Sequence, residues 1–414
     1  MLVITLVALV VGSATVFGIH QLQVGEQSGF YLSQGELALS SGDARQAVGH
    51  FQKAVEMEPK SFEALSGLAR SFEEVGDIRN AFLTANRAER FAPDDSENNL
   101  RLAKLSFRIR RFADTVERTQ LLLDRVSSPA EEHELLTLLG RAYAGDKDGP
   151  KAADAFTRAT ELSSATVETY DYLARVQSDL LEDSAAAEET LNVMVERFSQ
   201  DAQAYLVRGQ WYVDKVSGLS LSMDIDDTGR LKRHLSLARA DADAAMKIDG
   251  DHPDGLAFAT QVAMRFEDHE LVRNLAQEGM ERFPNIGEFY RYSSMAADAL
   301  AADAVDEQEK ERLEQSGLSV LEEGLRNLPS DVEILWTLAN NHIEAGRAPE
   351  AKALVQRLRQ LGYTPPLLRF LDARLLFMEG ENLKAAQQLE LVRADVVSIP
   401  SVVRLVDLSL ADVY

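Results

Sequence analysis

Residues able to carry chemistry are few in this chain, and their spacing does not assemble a reaction. The seven histidines are His20, His50, His133, His234, His252, His269 and His342. No two lie three or four residues apart, so no helix face offers the paired imidazoles of a metal site. There is no cysteine, which removes disulfides, thiol nucleophiles, cysteine-ligated zinc and iron–sulfur clusters. The sequence shows no phosphate-binding loop, dinucleotide glycine fingerprint or nucleophile elbow. One segment, Asp224-Ile225-Asp226-Asp227-Thr228-Gly229, resembles the opening of a calcium loop. Its twelfth position is Leu235, where a bidentate glutamate is required, so an acidic loop tip accounts for it better. No catalytic, cofactor-binding or metal residue is assigned. The chain reads as a non-enzyme with no cofactor and no small-molecule substrate.

The remaining chemistry is charge. Forty-three basic residues face 67 acidic ones, giving a net charge of −24. Such a surface repels nucleic acid and anionic headgroups, and it keeps a long helical chain soluble. Adjacent carboxylates in this composition read as solvated helix faces.

The elements that would position any binding residue recur along the chain. Tyr31 to Pro59 fits two short amphipathic helices with a turn at Gly42-Asp43. The arrangement returns 34 residues later, between Leu65 and Pro93, with Gly42 matched by Gly76, Ala47 by Ala81, Ala54 by Ala88 and Pro59 by Pro93. Neither helix pair can bury its apolar stripe alone, so a fixed period of this length signals a stacked array. Small residues such as Gly35, Ala47, Ala69 and Ala81 permit close helix approach, and Phe51 and Phe72 fill the gaps between helices.

This pattern resembles the tetratricopeptide repeat, in a membrane-anchored bacterial form. The resemblance implies an all-α, right-handed α-solenoid of about ten helix–turn–helix repeats, preceded by one N-terminal transmembrane helix. It covers 28–399, with insertions near 214–231 and 301–312, and 400–414 opens a further repeat. The first two repeats (28–61 and 62–95) match strongly, and the third (about 96–130) is degenerate. The insertion at 214–231, polar with Gly and Ser, reads as a long loop. The one at 301–312, rich in Ala, Glu and Asp, reads as a lengthening of two helices.

In such arrays the first helix of each pair lines a concave groove that takes extended peptides or partner helices. The resemblance places the ninth position of each repeat in that groove. Here the position is held by Glu36, Arg70, Lys104, Arg141, Arg175, Gln210, Gln261 and Asn340. Arg70, Lys104, Arg141 and Arg175 form a local positive track in an acidic protein, suited to acidic or C-terminal segments. The same cations have carboxylates within reach, among them Glu73, Glu74, Glu97, Glu134 and Asp171, and pairing with these would merely hold the groove together. The family's carboxylate clamp needs Lys at position five and Asn at position nine. Only Asn340 matches, with Trp336 at five, so that clamp is absent. Trp336 reads equally as a groove anchor and as a core tryptophan.

Leu2 to Ile19 carries no charge over 18 residues, and as a helix it would span about 27 Å, close to a hydrocarbon core. Gly12-Ser13-Ala14 offers a small-x-small cleavage site. The apolar run continues past that site and no basic residue precedes it, which favours an uncleaved anchor over 1–20 with a connector at 21–27. The expected location is the inner membrane, single-pass, with the array on the periplasmic side. The expected function is a scaffold for protein partners in the bacterial envelope, in envelope, secretion or polysaccharide assembly. The end at Tyr414, inside a repeat, supports a second reading. In it this is the regulatory repeat region of a longer enzyme, a glycosyltransferase or kinase, of which the chain is a fragment.

Overall fold

The computed structural model describes residues 25–219, 225–397 and 400–413. They are helical, and no strand occurs among the described residues. The chain divides into two compact units, Met1–Arg197 and Phe198–Tyr414.

In the first unit the helices are α1 (25–40), α2 (Ala44–Met57), α3 (Phe62–Glu74), α4 (Ile78–Glu89) and α5 (Ser96–Arg108). They continue with α6 (Phe112–Leu123), α7 (Pro129–Gly145), α8 (Gly149–Glu161), α9 (Val167–Arg175), a π turn (Val176–Leu180) and α10 (Ser184–Arg197). From α2 on, each helix packs on its sequence neighbours, and ion pairs link odd helices to odd (Glu36–Arg70, Lys104–Glu134) and α4 to α6 (Glu89–Arg118), which sets the odd-numbered and even-numbered helices in separate layers. The pairing follows from the apolar spacing. On α2, Ala47, Phe51 and Ala54 are buried, and on α4, Ala81, Ala85 and Ala88 are buried, each set a single stripe at helical period. Phe51 lies against Gly35 of α1 and Gly67 of α3. Phe156 of α8 lies the same way against Gly140 of α7. Glycine on one helix thus makes the slot for a ring on the next.

The turns repeat as strictly as the core. Gly42 and Gly76 each adopt φ 81°, and Asp43 and Asp77 follow as N-caps whose carboxylates accept from the Gln46 and Asn80 amides at 3.0 and 3.1 Å. Each such cap contributes about 1 kcal/mol. Where the repeat loses its glycine the backbone does not change: Arg110 and Lys147 hold φ 62° and 63°. The repeat beginning at Val167 carries one residue more than the period. Its π turn absorbs that residue, and the left-handed position moves to Glu182 (φ 57°).

The second unit contains α11 (Ala202–Leu219), α12 (Ile225–Ile248), α13 (Pro253–Arg265), α14 (His269–Arg282), α15 (Gly287–Asp303) and α16 (Glu307–Asn327). These are followed by α17 (Val332–Glu344), α18 (Ala348–Gln360), α19 (Pro365–Met378), α20 (Asn382–Asp395) and α21 (Pro400–Val413). A continuous core joins Tyr290, Leu321, Leu335, Leu338, Phe370 and Leu389. The segment expected as a loop at 214–231 is mostly helix, with α11 running to Leu219 and α12 starting at Ile225. Tyr212, Val213 and Val216 on α11 and Leu235, Ala238 and Ala242 on α12 are buried, and this apolar pairing overrides the local turn chemistry of Gly and Ser. Asp224 lies outside the described residues. Gly229 sits within α12 and Leu235 is buried, so the calcium-loop register is replaced by helix. The 301–312 insertion lengthens α15 and α16, which are separated only by residues 304–306.

Among the described residues no helix is long and apolar enough to cross a membrane. The expected anchor at 1–20, and the start of the connector at 21–27, lie outside the described residues.

Candidate peptide-binding surface

The odd-numbered helices of the first unit carry the expected cations, and the side chains now have partners. Arg70 of α3 pairs with Glu36 of α1, the residue at its own position one repeat earlier. That contact places equivalent positions of neighbouring repeats side by side on one face. Lys104 of α5 pairs with Glu134 of α7. Arg175 closes back on its own helix, its Nε donating to both oxygens of Asp171 at 2.9 Å. Beside this row, Arg101 pairs with Glu97 at 2.9 Å and with Glu73 at 3.6 Å. The Arg101 hydrogen bond holds the Glu97 carboxyl below its ordinary range. Three of the four track cations are therefore neutralised locally, largely by carboxylates that the sequence had shown within reach.

Arg141 differs. Its guanidinium carbon lies 4.7 Å from the ring centre of Phe107 and 5.3 Å from that of Tyr172. Phe107 comes from α5 and Tyr172 from α9, so each neighbouring repeat supplies one ring. No carboxylate pairs with Arg141 among the described residues. Tyr172 is itself fixed: its ring stacks on Phe156 at 5.5 Å, and its hydroxyl donates to Glu168 Oε1 at 2.5 Å. Burial, followed by that bond, pushes its phenol above the ordinary value. Phe107 and Tyr172 are functional candidates that the ninth-position rule does not reach. Their signal in the sequence is only an aromatic on the first helix before and after Arg141.

Trp336 and Asn340 belong to the second unit, four residues apart on α17. Trp336 is half-buried against the core, and its indole N–H is buried with no acceptor among the described residues. Asn340 is committed on both sides: its Nδ2 donates to Glu344 at 2.9 Å and its Oδ1 accepts from Arg374 of α19. Arg374 sits at the position equivalent to Asn340 one repeat later, so the ladder of Glu36 and Arg70 recurs here with an amide in place of the acid.

Close by, α15, α16 and α17 enclose a cleft of about 540 Å³ lined by Asp298, Glu311, Glu314, Asn341, Glu344 and Arg347. Asp298 accepts from Asn341 Nδ2 at 3.4 Å. Burial, then the neighbouring charge of Glu344, raises its carboxyl to about 6. The Asp298 side chain is nonetheless exposed overall, so solvent screens both the burial effect and that coupling. No group of three metal-ligating side chains occurs among the described residues.

Residues 32–96 match the family model for the tetratricopeptide repeat. No curated protein matches the chain. Among solved structures it is similar to MamA (41-end) from Desulfovibrio magneticus RS-1, at 18% identity and a TM-score of 0.39, over 42% of this chain and 96% of that one. It is similar to pilF of Pseudomonas aeruginosa at 15% identity and a TM-score of 0.36, over 66% of this chain and 99% of that one. A tetratricopeptide repeat protein from Parabacteroides merdae aligns at 14% identity and a TM-score of 0.44, again over 66% and 99%.

Proposed function

We propose that this chain, a tetratricopeptide repeat protein, is a membrane-anchored scaffold that holds segments of other proteins along the odd-helix face of its first unit. The observation that carries the reading is the row of Arg70, Lys104, Arg141 and Arg175 on successive first helices of a chain with net charge −24. Within that row Arg70, Lys104 and Arg175 are paired with local acids, and the charge of Arg141, which has no carboxylate partner among the described residues, favours an acidic or C-terminal segment. Exposed repeat surface of this kind suits an extended partner, which meets one repeat after another. The apolar run at 2–19 would tether the array to the inner membrane, with the repeats on the periplasmic side and partners drawn from envelope, secretion or polysaccharide assembly.

The test uses the full-length chain and a variant with Arg70, Lys104, Arg141 and Arg175 all changed to Gln. Each is crosslinked in membranes and its partners are compared by mass spectrometry. Partners held by the native chain and lost from the variant support the reading. An unchanged partner set sinks it. Protease treatment of spheroplasts tests the placement, since a periplasmic array is digested and a cytoplasmic one is protected.

A further inference from the structure

The four cations of the track are not equivalent, and their difference identifies where a ligand makes its strongest contact. Arg70, Lys104 and Arg175 already have the carboxylates of Glu36, Glu134 and Asp171. An incoming acid would have to displace one of these, regaining little. Arg141 has no such competitor among the described residues, and its surroundings prepare it for a new one. Phe107 and Tyr172 approach its guanidinium from the two neighbouring repeats. Aromatic rings attract a guanidinium through its face and leave its in-plane N–H groups directed outward. Stacking also removes much of the side-chain freedom that binding would otherwise cost.

We infer that Arg141, held between Phe107 and Tyr172, is the anchoring cation of the surface and grips a side-chain carboxylate of an extended acidic segment through two parallel N–H···O bonds. The inference rests on the odd-helix face being the binding surface. A guanidinium presents a fork that matches a carboxylate in plane, which a lysine ammonium cannot reproduce. The partially exposed edges of Phe107 and Tyr172 then take an apolar residue beside the acid. The partner chemistry is thus Asp or Glu next to Leu or an aromatic.

The probe is a fluorescent, C-terminally amidated dodecapeptide of Glu and Ala containing one Leu, compared with a counterpart in which every Glu is Gln. Binding to the full-length chain is read by fluorescence anisotropy. The native chain prefers the Glu peptide by about tenfold, the scale of one charge-assisted pair. Arg141→Gln abolishes that preference. Arg141→Lys, which keeps the charge and the ring contacts, recovers only part of it. Arg175→Gln changes affinity by less than about twofold, as expected for a surface pair. Circular dichroism confirms that each variant keeps its helices. Equal losses for Arg141→Gln and Arg175→Gln overturn the inference. So does a Gln peptide with a free C-terminus that binds as tightly as the Glu peptide. If instead the native chain binds the Glu and Gln peptides alike, the reading of this face as an acidic-segment surface fails before Arg141 is at issue.

Discussion

Replacing Gly67 with alanine tests the packing logic of the repeat. Gly67 is on α3, and a Cβ built there would stand 2.3 Å from Phe51 Cε1 and 2.6 Å from Cδ1 and Cζ. Phe51 is 0% exposed. It has no retreat toward α1, because Gly35 already lies against the same ring. Carbon contacts settle at roughly 3.5–4.0 Å, so the ring or the helix must shift by more than an ångström. Overpacking of this kind costs about 3 kcal/mol at its upper range. Alanine returns about 1 kcal/mol through helix propensity, leaving a net loss of about 2 kcal/mol. Gly49 supplies the control. It is exposed in the middle of α2, with nothing within 4 Å of its built Cβ. Gly49→Ala therefore gains about 1 kcal/mol from propensity alone. The same chemical change in adjacent helices thus has opposite signs, about 3 kcal/mol apart. Urea unfolding gives the totals, and hydrogen exchange of α1 to α4 shows whether the loss is local, as nearest-neighbour coupling requires. Adding Phe51→Leu to Gly67→Ala should recover at least about 1 kcal/mol, because the smaller side chain vacates the contact. A Gly67→Ala chain as stable as the native one would refute the reasoning, as would additivity of the two changes.

Three further outcomes follow from single sites. Asp298 binds its proton more tightly folded than unfolded, so stability falls as pH rises from about 4 to about 6 and is level above that. Asp298→Asn should flatten that slope and raise stability at pH 7 by about 1 kcal/mol after allowance for solvent screening, read by urea melts across pH. Asp241 of α12 is buried and accepts from Arg208 Nη2 at 2.6 Å and Nε at 3.1 Å, yet burial outweighs the pair and raises its carboxyl. Asp241→Leu should cost about 3 kcal/mol by removing the carboxylate that the half-buried Arg208 guanidinium pairs with, and Arg208→Met in the same chain should recover part of it, a double-mutant cycle in thermal melts. Lys147 holds φ 63°, so Lys147→Gly should stabilise by about 0.5 kcal/mol once the larger unfolded-state entropy of glycine is subtracted.

What the sequence made legible tracks how far each feature depends on periodicity. The helix pairs, the buried Ala stripes and the turn glycines at 42, 76, 346 and 380 all recur at fixed positions, and recurrence is itself the signal. Arg110, Lys147 and Glu267 occupy the same left-handed turn without any turn-forming side chain, so only the neighbouring repeats reveal them. The segment at 214–231 departs from its expected loop because Gly218 and the serines speak for a loop locally, whereas the apolar stripes of α11 and α12 decide the outcome through pairing. Arginines that reach back to the previous repeat were illegible for a related reason. Arg87 donates to the Pro59 carbonyl at 2.7 Å and Arg357 to the Pro329 carbonyl at 2.6 Å, each spanning 28 residues. Nothing in a linear reading distinguishes them from solvated helix charges.

The odd-helix face of the first unit shows the same division more sharply. The ninth-position cations could be read from spacing, and so could the carboxylates beside them, because Glu134 and Asp171 lie on the same faces. Which cation stays uncommitted could not, since it depends on two rings brought in from repeats on either side. A row of like charges on stacked helices carries a cost, because each repeat adds a cation at similar height. Pairing Arg70, Lys104 and Arg175 with local acids removes that repulsion and stiffens the face. Stacking Arg141 on aromatics removes the need for an acid while leaving the charge unneutralised. On the proposed reading, this arrangement leaves one oriented charge in a surface otherwise balanced, so selectivity would come through a single contact where a uniform track would bind any polyanion.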